Sequence, residues 1–229
     1  MKITWLGHAG FRIEIEKAVL LIDPWLSGNP TFPNERRADA IEGATHILLT
    51  HGHFDHTAEV DDIAAETSAL VCCIPELAHF VEGMGHKTID FNKGGTIDLN
   101  GAKVSMVNAT HSSSMTTPED SYYTGTESGF MIAGEGHMIY VSGDTDIMAD
   151  MDWMGDFYKP DIGILCCGGH YTMGMDGAAY AAKRYFNFKT VIPCHYGTFP
   201  LLAQSAQPLV DALPDIHVRV PKVMEQLSL

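Results

Sequence analysis

His46-Ile47-Leu48-Leu49-Thr50-His51-Gly52-His53-Phe54-Asp55-His56 decides the fold: an apolar, strand-like run delivers four metal-ligand side chains within six residues. Side chains of an extended segment alternate, so His51, His53 and Asp55 are expected on one face, and a turn into the next helix brings His56 toward the same centre. Neutral imidazoles suit zinc, iron, nickel or manganese, and a carboxylate both neutralises charge and hardens the site. Ligands this close together in sequence cannot enclose two ions, so a second ion requires ligands from other strand ends.

Three other apolar strands end on such a residue. Val104-Ser105-Met106-Val107 leads to His111 in Asn108-Ala109-Thr110-His111-Ser112, Tyr140-Val141 leads to Asp144 in Ser142-Gly143-Asp144-Thr145, and Val191-Ile192-Pro193-Cys194 leads to His195. Small or turn-forming neighbours leave room for an ion beside each of them.

Outward from these motifs, strands are expected at 3–6, 11–15 and 19–22, antiparallel and punctuated by Gly7 and Gly10. Residues 28–40, with Pro30, Pro33 and Arg36-Arg37, read as a loop. After the His cluster come a helix at 58–66, a strand at 69–74, and a helix from Pro75 through Val81 closed by Gly83 and Gly85. Strands at 96–99 and 103–107 flank the turn Asn100-Gly101. Strands at 128–133 and 137–141 pair around Gly134-Glu135-Gly136. Strands at 162–166, 191–193 and 217–220 alternate with helices at 147–157, 176–185 and 206–213. Two strand-rich halves with helices between them predict an α/β fold of two packed sheets covered by helices. A single domain spanning 1–229 is expected, since no linker or short repeat divides the chain.

Composition narrows the functional classes. With 45% apolar and 19% charged residues the chain is of the globular class. The formal net charge is −15, from 14 Lys and Arg against 29 Asp and Glu, which argues against a nucleic-acid or anionic-lipid partner. No apolar run approaches the ~20 residues of a membrane span. Residues 1–5 lead into a strand rather than a signal peptide, so the expected location is the cytoplasm. Five cysteines, four of them in the pairs Cys72-Cys73 and Cys166-Cys167, form no Cys-x-x-Cys motif and lie in apolar runs, as reduced, buried thiols do. Cys194 stands out only as the neighbour of His195. A homo-oligomer is left open.

Taken in order, the cluster and the three later strand ends resemble the metallo-β-lactamase superfamily, whose motif is His-x-His-x-Asp-His followed by His, Asp and His. Leu6-Gly7-His8-Ala9-Gly10-Phe11, Ile22-Asp23-Pro24-Trp25-Leu26, Gly168-Gly169-His170-Tyr171-Thr172-Met173-Gly174 and His195-Tyr196-Gly197-Thr198-Phe199-Pro200 are similar to the wording of one branch. That branch holds small bacterial and archaeal metal-dependent hydrolases akin to the ascorbate-6-phosphate lactonases and to the phospholipase D that cleaves N-acyl phosphatidylethanolamine. The resemblance implies a four-layer αββα sandwich with its site on one edge of the two sheets. It implies two divalent metal ions, zinc first, with manganese, nickel or iron as alternatives. In that scheme His51, His53 and His111 hold one ion, Asp55, His56 and His195 hold the second, and Asp144 bridges them.

The implied activity is hydrolysis of a small-molecule ester, lactone or phosphodiester by a metal-bound hydroxide that Asp55 orients as a catalytic residue. Two divalent ions set against Asp55, Asp144 and a hydroxide leave a local charge of about +1. His170, in the Gly-rich loop after the strand-like run 161–167, is a second catalytic candidate, as general acid or oxyanion donor. His8, in the turn around Gly7 and Gly10, and Tyr196 are candidates for substrate contact. Asp23, before Pro24, is a candidate partner for a ligand imidazole. Residues 28–40 and 112–126 are the loops expected to set specificity. Two readings compete with this one: an iron-loaded redox enzyme on the same scaffold, and a metal-binding protein without turnover.

Overall fold

Strands His46–Leu48, Leu70–Cys73, Ile162–Cys166 and Thr190–Cys194 are buried at nearly every position, the pattern of strands covered on both faces. In the computed structural model, which describes residues 1–116 and 120–229, they belong to two seven-stranded sheets. The first runs Gln226–Ser228, Lys2–Gly7, Gly10–Ile15, Ala18–Ile22, His46–Leu48, Leu70–Cys73, Thr88–Asp90. The second runs His217–Val218, Thr190–Cys194, Ile162–Cys166, His137–Val141, Ser128–Gly134, Ala102–Asn108, Thr96–Leu99.

Each sheet is antiparallel in one half and parallel in the other. In the first, pairing is antiparallel up to Ala18–Ile22 and parallel beyond it. In the second it is antiparallel from Thr96–Leu99 to His137–Val141 and parallel beyond. Parallel strands deliver their carboxyl ends to one edge, where α/β sheets form ligand sites. Helix Pro75–Gly83 packs on Leu70–Cys73 and Thr88–Asp90, while Met175–Tyr185 packs on Ile162–Cys166 and against helices Asp150–Tyr158 and Gln207–Ala212. Buried residues of both sheets and their helices form one continuous apolar core, including Met148, Met151 and Met154. The architecture is the αββα sandwich that the sequence predicts.

Local departures have identifiable causes. Residues 28–40 are not all loop: a 3-10 turn at Asn34–Arg36 leads into helix Arg37–Ile41, which buries Ala40 and Ile41 and ties Arg37 to Glu59 and Glu66. The helix expected at 58–66 is Val60–Thr67, closed by Ser68 in the left-handed region, and a separate helical turn at Phe54–Thr57 precedes it. The helix expected at 147–157 is Asp150–Tyr158, ended by Lys159 at φ 50. Edge strands at Thr88–Asp90 and Gln226–Ser228 each carry a single apolar residue, too short a run for alternation to mark them. In the loop 112–126, residues 117–119 lie outside the described residues, and Ser114–Thr116 pairs antiparallel with Ser121–Tyr123. Among the described residues no helix is long and apolar enough to cross a membrane.

Phe130 lies in a central strand, fully buried and stacked on Phe91 at 6.1 Å between centroids. Phe130→Ala is expected to lower the unfolding free energy by about 3–5 kcal/mol in urea denaturation, and a loss under about 1 kcal/mol would contradict this account of the core.

Candidate metal centre

The strand ends converge. His51, His53 and Asp55 follow His46–Leu48, His111 follows Ala102–Asn108, Asp144 follows His137–Val141, and His195 follows Thr190–Cys194. The two sheets are stitched together here, because the backbone N–H of His195 donates to the carbonyl of His8 in the first turn of the other sheet, 2.9 Å away. Gly52 is required by packing: a Cβ there would run into the Thr124 hydroxyl. Gly143, at φ 59, holds the turn before Asp144 in a left-handed conformation in which a Cβ would meet the Ser128 carbonyl.

One ligand atom from each of His51, His53 and His111 lies within 4.8 Å of the others, and the same holds for His8, Asp55, His56 and His195. Asp144 Oδ2 lies between the groups, 3.0 Å from His195 Nε2, 3.3 Å from His56 Nε2, 3.6 Å from His111 Nε2 and 3.9 Å from His51 Nε2. Asp55 Oδ2 is 3.6 Å from His195 Nε2 and 3.8 Å from His56 Nε2. Yet His56 Nε2, His195 Nε2 and Asp144 Oδ1 are buried with no hydrogen-bond partner, the 3.0 Å approach to Asp144 lacking hydrogen-bond geometry. Buried polar atoms left unpaired are rare and costly. Three of them converging among imidazoles and carboxylates fit a centre built for divalent cations.

Asp55 does not reach its place by strand alternation. It sits in the helical turn Phe54–Thr57, which rotates its carboxylate away from His53 toward His56 and His195. That is a correction to the extended-segment expectation, because a helical turn advances about 100° per residue rather than alternating.

Hydrogen bonds behind the cluster orient it. His56 Nδ1 donates to Asp23 Oδ2 at 2.8 Å, turning Nε2 toward Asp144. His51 Nδ1 is 2.9 Å from Thr50 Oγ1, which donates to the same Asp23 oxygen at 2.6 Å, while Thr50 N–H donates to Asp23 Oδ1 at 2.8 Å. One carboxylate therefore sets two imidazoles, as partners of metal-binding histidines do. Asp23 also lies close enough to His51 and His56 to form a third ligand-like group. Its oxygens are committed to Nδ1 and Thr50, and it is a support rather than a ligand.

His8 is fully buried. Its Nε2 is 2.9 Å from Asp55 Oδ2 and its Nδ1 is 2.9 Å from Thr198 Oγ1. Burial is the main cause that lowers its pKa to about 4, so the ring is neutral near pH 7. Thr198 then donates to Nδ1 and the Nε2–H donates to Asp55. The ring has no face open to substrate, and its place is behind Asp55.

Electrostatics follow from the same contacts. Burial opposes charge on His56, but Asp144, Asp23 and Asp55 outweigh it and raise its pKa well above the usual range. His195 is likewise opposed by burial and raised by Asp144 and Asp55, to about 9. His51 is held well below the ordinary value, first by burial and then by His56. Burial also opposes the Asp144 charge, and His195 and His56 overcome it to hold the carboxyl well below its range. Cys194 is buried and burial drives its thiol far upward, so it stays an uncharged core residue.

A cavity of about 420 Å³ opens over the cluster, lined by His53, Phe54, Asp55, His111, Ser112, Ser114, Thr116, Asp144, Tyr171, His195 and Phe199. His170 is not among these residues. It is exposed at φ 51 and packs edge-on against Tyr171 at 4.5 Å, so the left-handed turn at 170 presents its neighbour to the cavity instead. Tyr196 is also absent from the lining: it is buried and stacked on Trp5 at 5.3 Å. Phe54, Tyr171, Thr198 and Phe199 are among the site residues that sequence reasoning passes over. Only their position beside Asp55, His170 and His195 hints at them.

A family model described as a beta-lactamase superfamily domain matches residues 19–196. The chain is 63% identical over 235 residues, 100% of both chains, to a UPF0173 metal-dependent hydrolase of Paracoccus denitrificans. It is 62% identical over 230 residues, again 100% of both, to another from Cereibacter sphaeroides. Among solved structures, Igni18, described as a novel metallo hydrolase from the hyperthermophilic archaeon Ignicoccus hospitalis, matches with a TM-score of 0.87 at 30% identity, over 99% of this chain and 97% of that one.

Asp23→Asn is expected to weaken metal binding about 10–100-fold in chelator competition with near-UV circular dichroism preserved, and unchanged affinity would remove Asp23 from its supporting role. A cation bound at His195 would have to displace the proton it carries below about pH 9, so apparent affinity is expected to rise with pH toward that value. Calorimetric titration at pH 7 in buffers of different ionisation enthalpy should record proton release on metal uptake, and none would contradict this electrostatic picture.

Proposed function

The chain belongs to the beta-lactamase superfamily and is a metal-dependent hydrolase, and from that premise we propose that it cleaves a small ester, lactone or phosphodiester at two divalent ions. His51, His53 and His111 hold one ion, Asp55, His56 and His195 the other, and Asp144 lies between them. The observation that carries this reading is the set of buried, unpaired ligand atoms around Asp144. Imidazole and carboxylate donors without a thiolate accept zinc, manganese, nickel or iron, and we assign zinc. Such ions supply Lewis acidity and bring the pKa of a coordinated water from 15.7 to about 7.

The protein's own part is positioning. Asp55 lies at the cavity wall with Oδ2 held by the His8 Nε2–H, and it orients the attacking water by accepting a hydrogen bond from it. Burial opposes the Asp55 charge, but His56, His195 and His8 hold its carboxyl well below the usual range, which keeps it an acceptor. The neutral His8 shares no proton with solvent, since Thr198 closes its other nitrogen. His170, exposed beside Tyr171, would serve substrate only from outside the lining.

One apolar core joins both sheets, which supports the whole of 1–229 acting as one metallo-hydrolase domain. All five cysteines are free and buried, which supports a reducing, cytoplasmic setting and a small-molecule substrate met there.

Asp55→Asn should retain some metal while kcat/KM falls at least about 100-fold, and His51→Ala should lose at least one of two bound ions by elemental analysis. Full activity of both variants on a substrate turned over by the wild type would sink the assignment. Oxygen consumption by an iron-loaded sample would replace it with redox chemistry.

A further inference from the structure

Large aromatic side chains are usually withdrawn from water, yet Phe54 and Tyr171 leave 61% and 51% of their surface exposed at the mouth of the cavity over the ligand cluster. Exposed apolar groups gathered at a cleft mark a binding surface. The Phe54 ring is also held in place. Trp25 meets it edge-on at 5.7 Å and stacks on Phe199 at 5.7 Å, and Phe54 and Phe199 are 6.4 Å apart.

Trp25 is fixed in turn by the loop that carries it. The backbone N–H groups of Leu26 and Ser27 each donate to Glu59 Oε2 at 2.7 Å, and Arg37 Nε donates to Glu59 Oε1 at 2.9 Å. A rigid aromatic wall loses little freedom when a ligand docks, so it favours binding of a flat apolar group.

The charge of the cavity selects in the same direction. Among the described residues none of its lining is Lys or Arg. The buried Asp23, 2.8 Å from His56, adds one negative charge to the ledger of two divalent ions, Asp55, Asp144 and a hydroxide, and brings it from about +1 to about zero. Little attraction is left for an anionic substrate.

We propose that the site takes an uncharged carboxylic ester or lactone bearing a flat apolar ring, with the ring against Phe54 and Phe199 and the carbonyl at the His and Asp cluster. This rests on the hydrolase reading above and narrows it away from phosphodiesters. The acyl–oxygen bond breaks and the water oxygen joins the acyl carbon. One water proton goes to the leaving oxygen and the other is released, so the products are a carboxylate, an alcohol and a proton, with no redox partner.

Two measurements test the wall. In the first, metal-free protein is examined by saturation-transfer NMR with phenylacetamide and acetamide. Preferential saturation of phenylacetamide that is lost in Phe54→Ser is the expected result, and equal saturation of the two amides overturns the proposal. In the second, zinc-loaded protein hydrolyses methyl phenylacetate and methyl acetate in a pH-stat. The expected kcat/KM ratio is about tenfold in favour of the phenyl ester, falling toward one in Phe54→Ser. A ratio near one in the wild type overturns the proposal and leaves the hydrolase reading standing. Selective binding of phenylacetamide without turnover of either ester keeps the aromatic wall but overturns the carboxylic-ester assignment, and the hydrolase reading then stands on other substrates.

Discussion

The centre depends on one buried carboxylate. Asp23 ends the strand Ala18–Ile22, is 1% exposed, and adopts φ 41 although it precedes proline, where extended backbone is favoured. Left-handed backbone at a residue with a side chain costs on the order of 1–3 kcal/mol and persists where surroundings over-determine it. Here they do: Asp23 accepts from Thr50 N–H, Thr50 Oγ1 and His56 Nδ1, while its own N–H donates to Leu48. These bonds lock the end of one parallel strand to the end of the next and aim His51 and His56 at the same point.

The rest of the site is that device enlarged to the scale of the fold. Both sheets change from antiparallel to parallel part-way across, and the carboxyl ends of their parallel strands meet on one edge. All seven proposed ligands are buried or half-buried there, five of them at strand ends that the apolar core makes rigid and two, Asp55 and His56, on the helical turn Phe54–Thr57, where His8 and Asp23 hold them. In a cluster held this way His56 Nε2, His195 Nε2 and Asp144 Oδ1 find no hydrogen-bond partner, which leaves them open to a cation.

Much of this is legible in the sequence, for a physical reason. A strand is short, its ends are marked by apolar residues giving way to glycine and polar ones, and a histidine or aspartate at such an end has little to do in a core. That logic offers His51, His53, His111, Asp144 and His195 as candidates, and it is their order after the cluster, resembling the superfamily motif, that joins them with His56 into one proposed set. It fails where a local turn decides direction. Nothing in Phe54-Asp55-His56 distinguishes strand alternation from a helical turn, and the left-handed backbone at His170 leaves that residue exposed while Tyr171 lines the cavity. Tyr196 follows a proposed ligand directly and yet points to Trp5, because φ 57 at His195 reverses the chain between them. Asp23 becomes unambiguous only once Thr50 is seen beside it.

The central claim is that His and Asp side chains alone hold two neighbouring ions, with Cys194 excluded although it adjoins His195. X-ray absorption spectroscopy of the zinc-loaded protein tests it most directly. The account predicts a nitrogen and oxygen shell at about 2.0–2.2 Å with no sulfur, and a metal–metal vector of about 3.5–4 Å. A sulfur shell near 2.3 Å, or a fully loaded sample without a metal–metal vector, would contradict it.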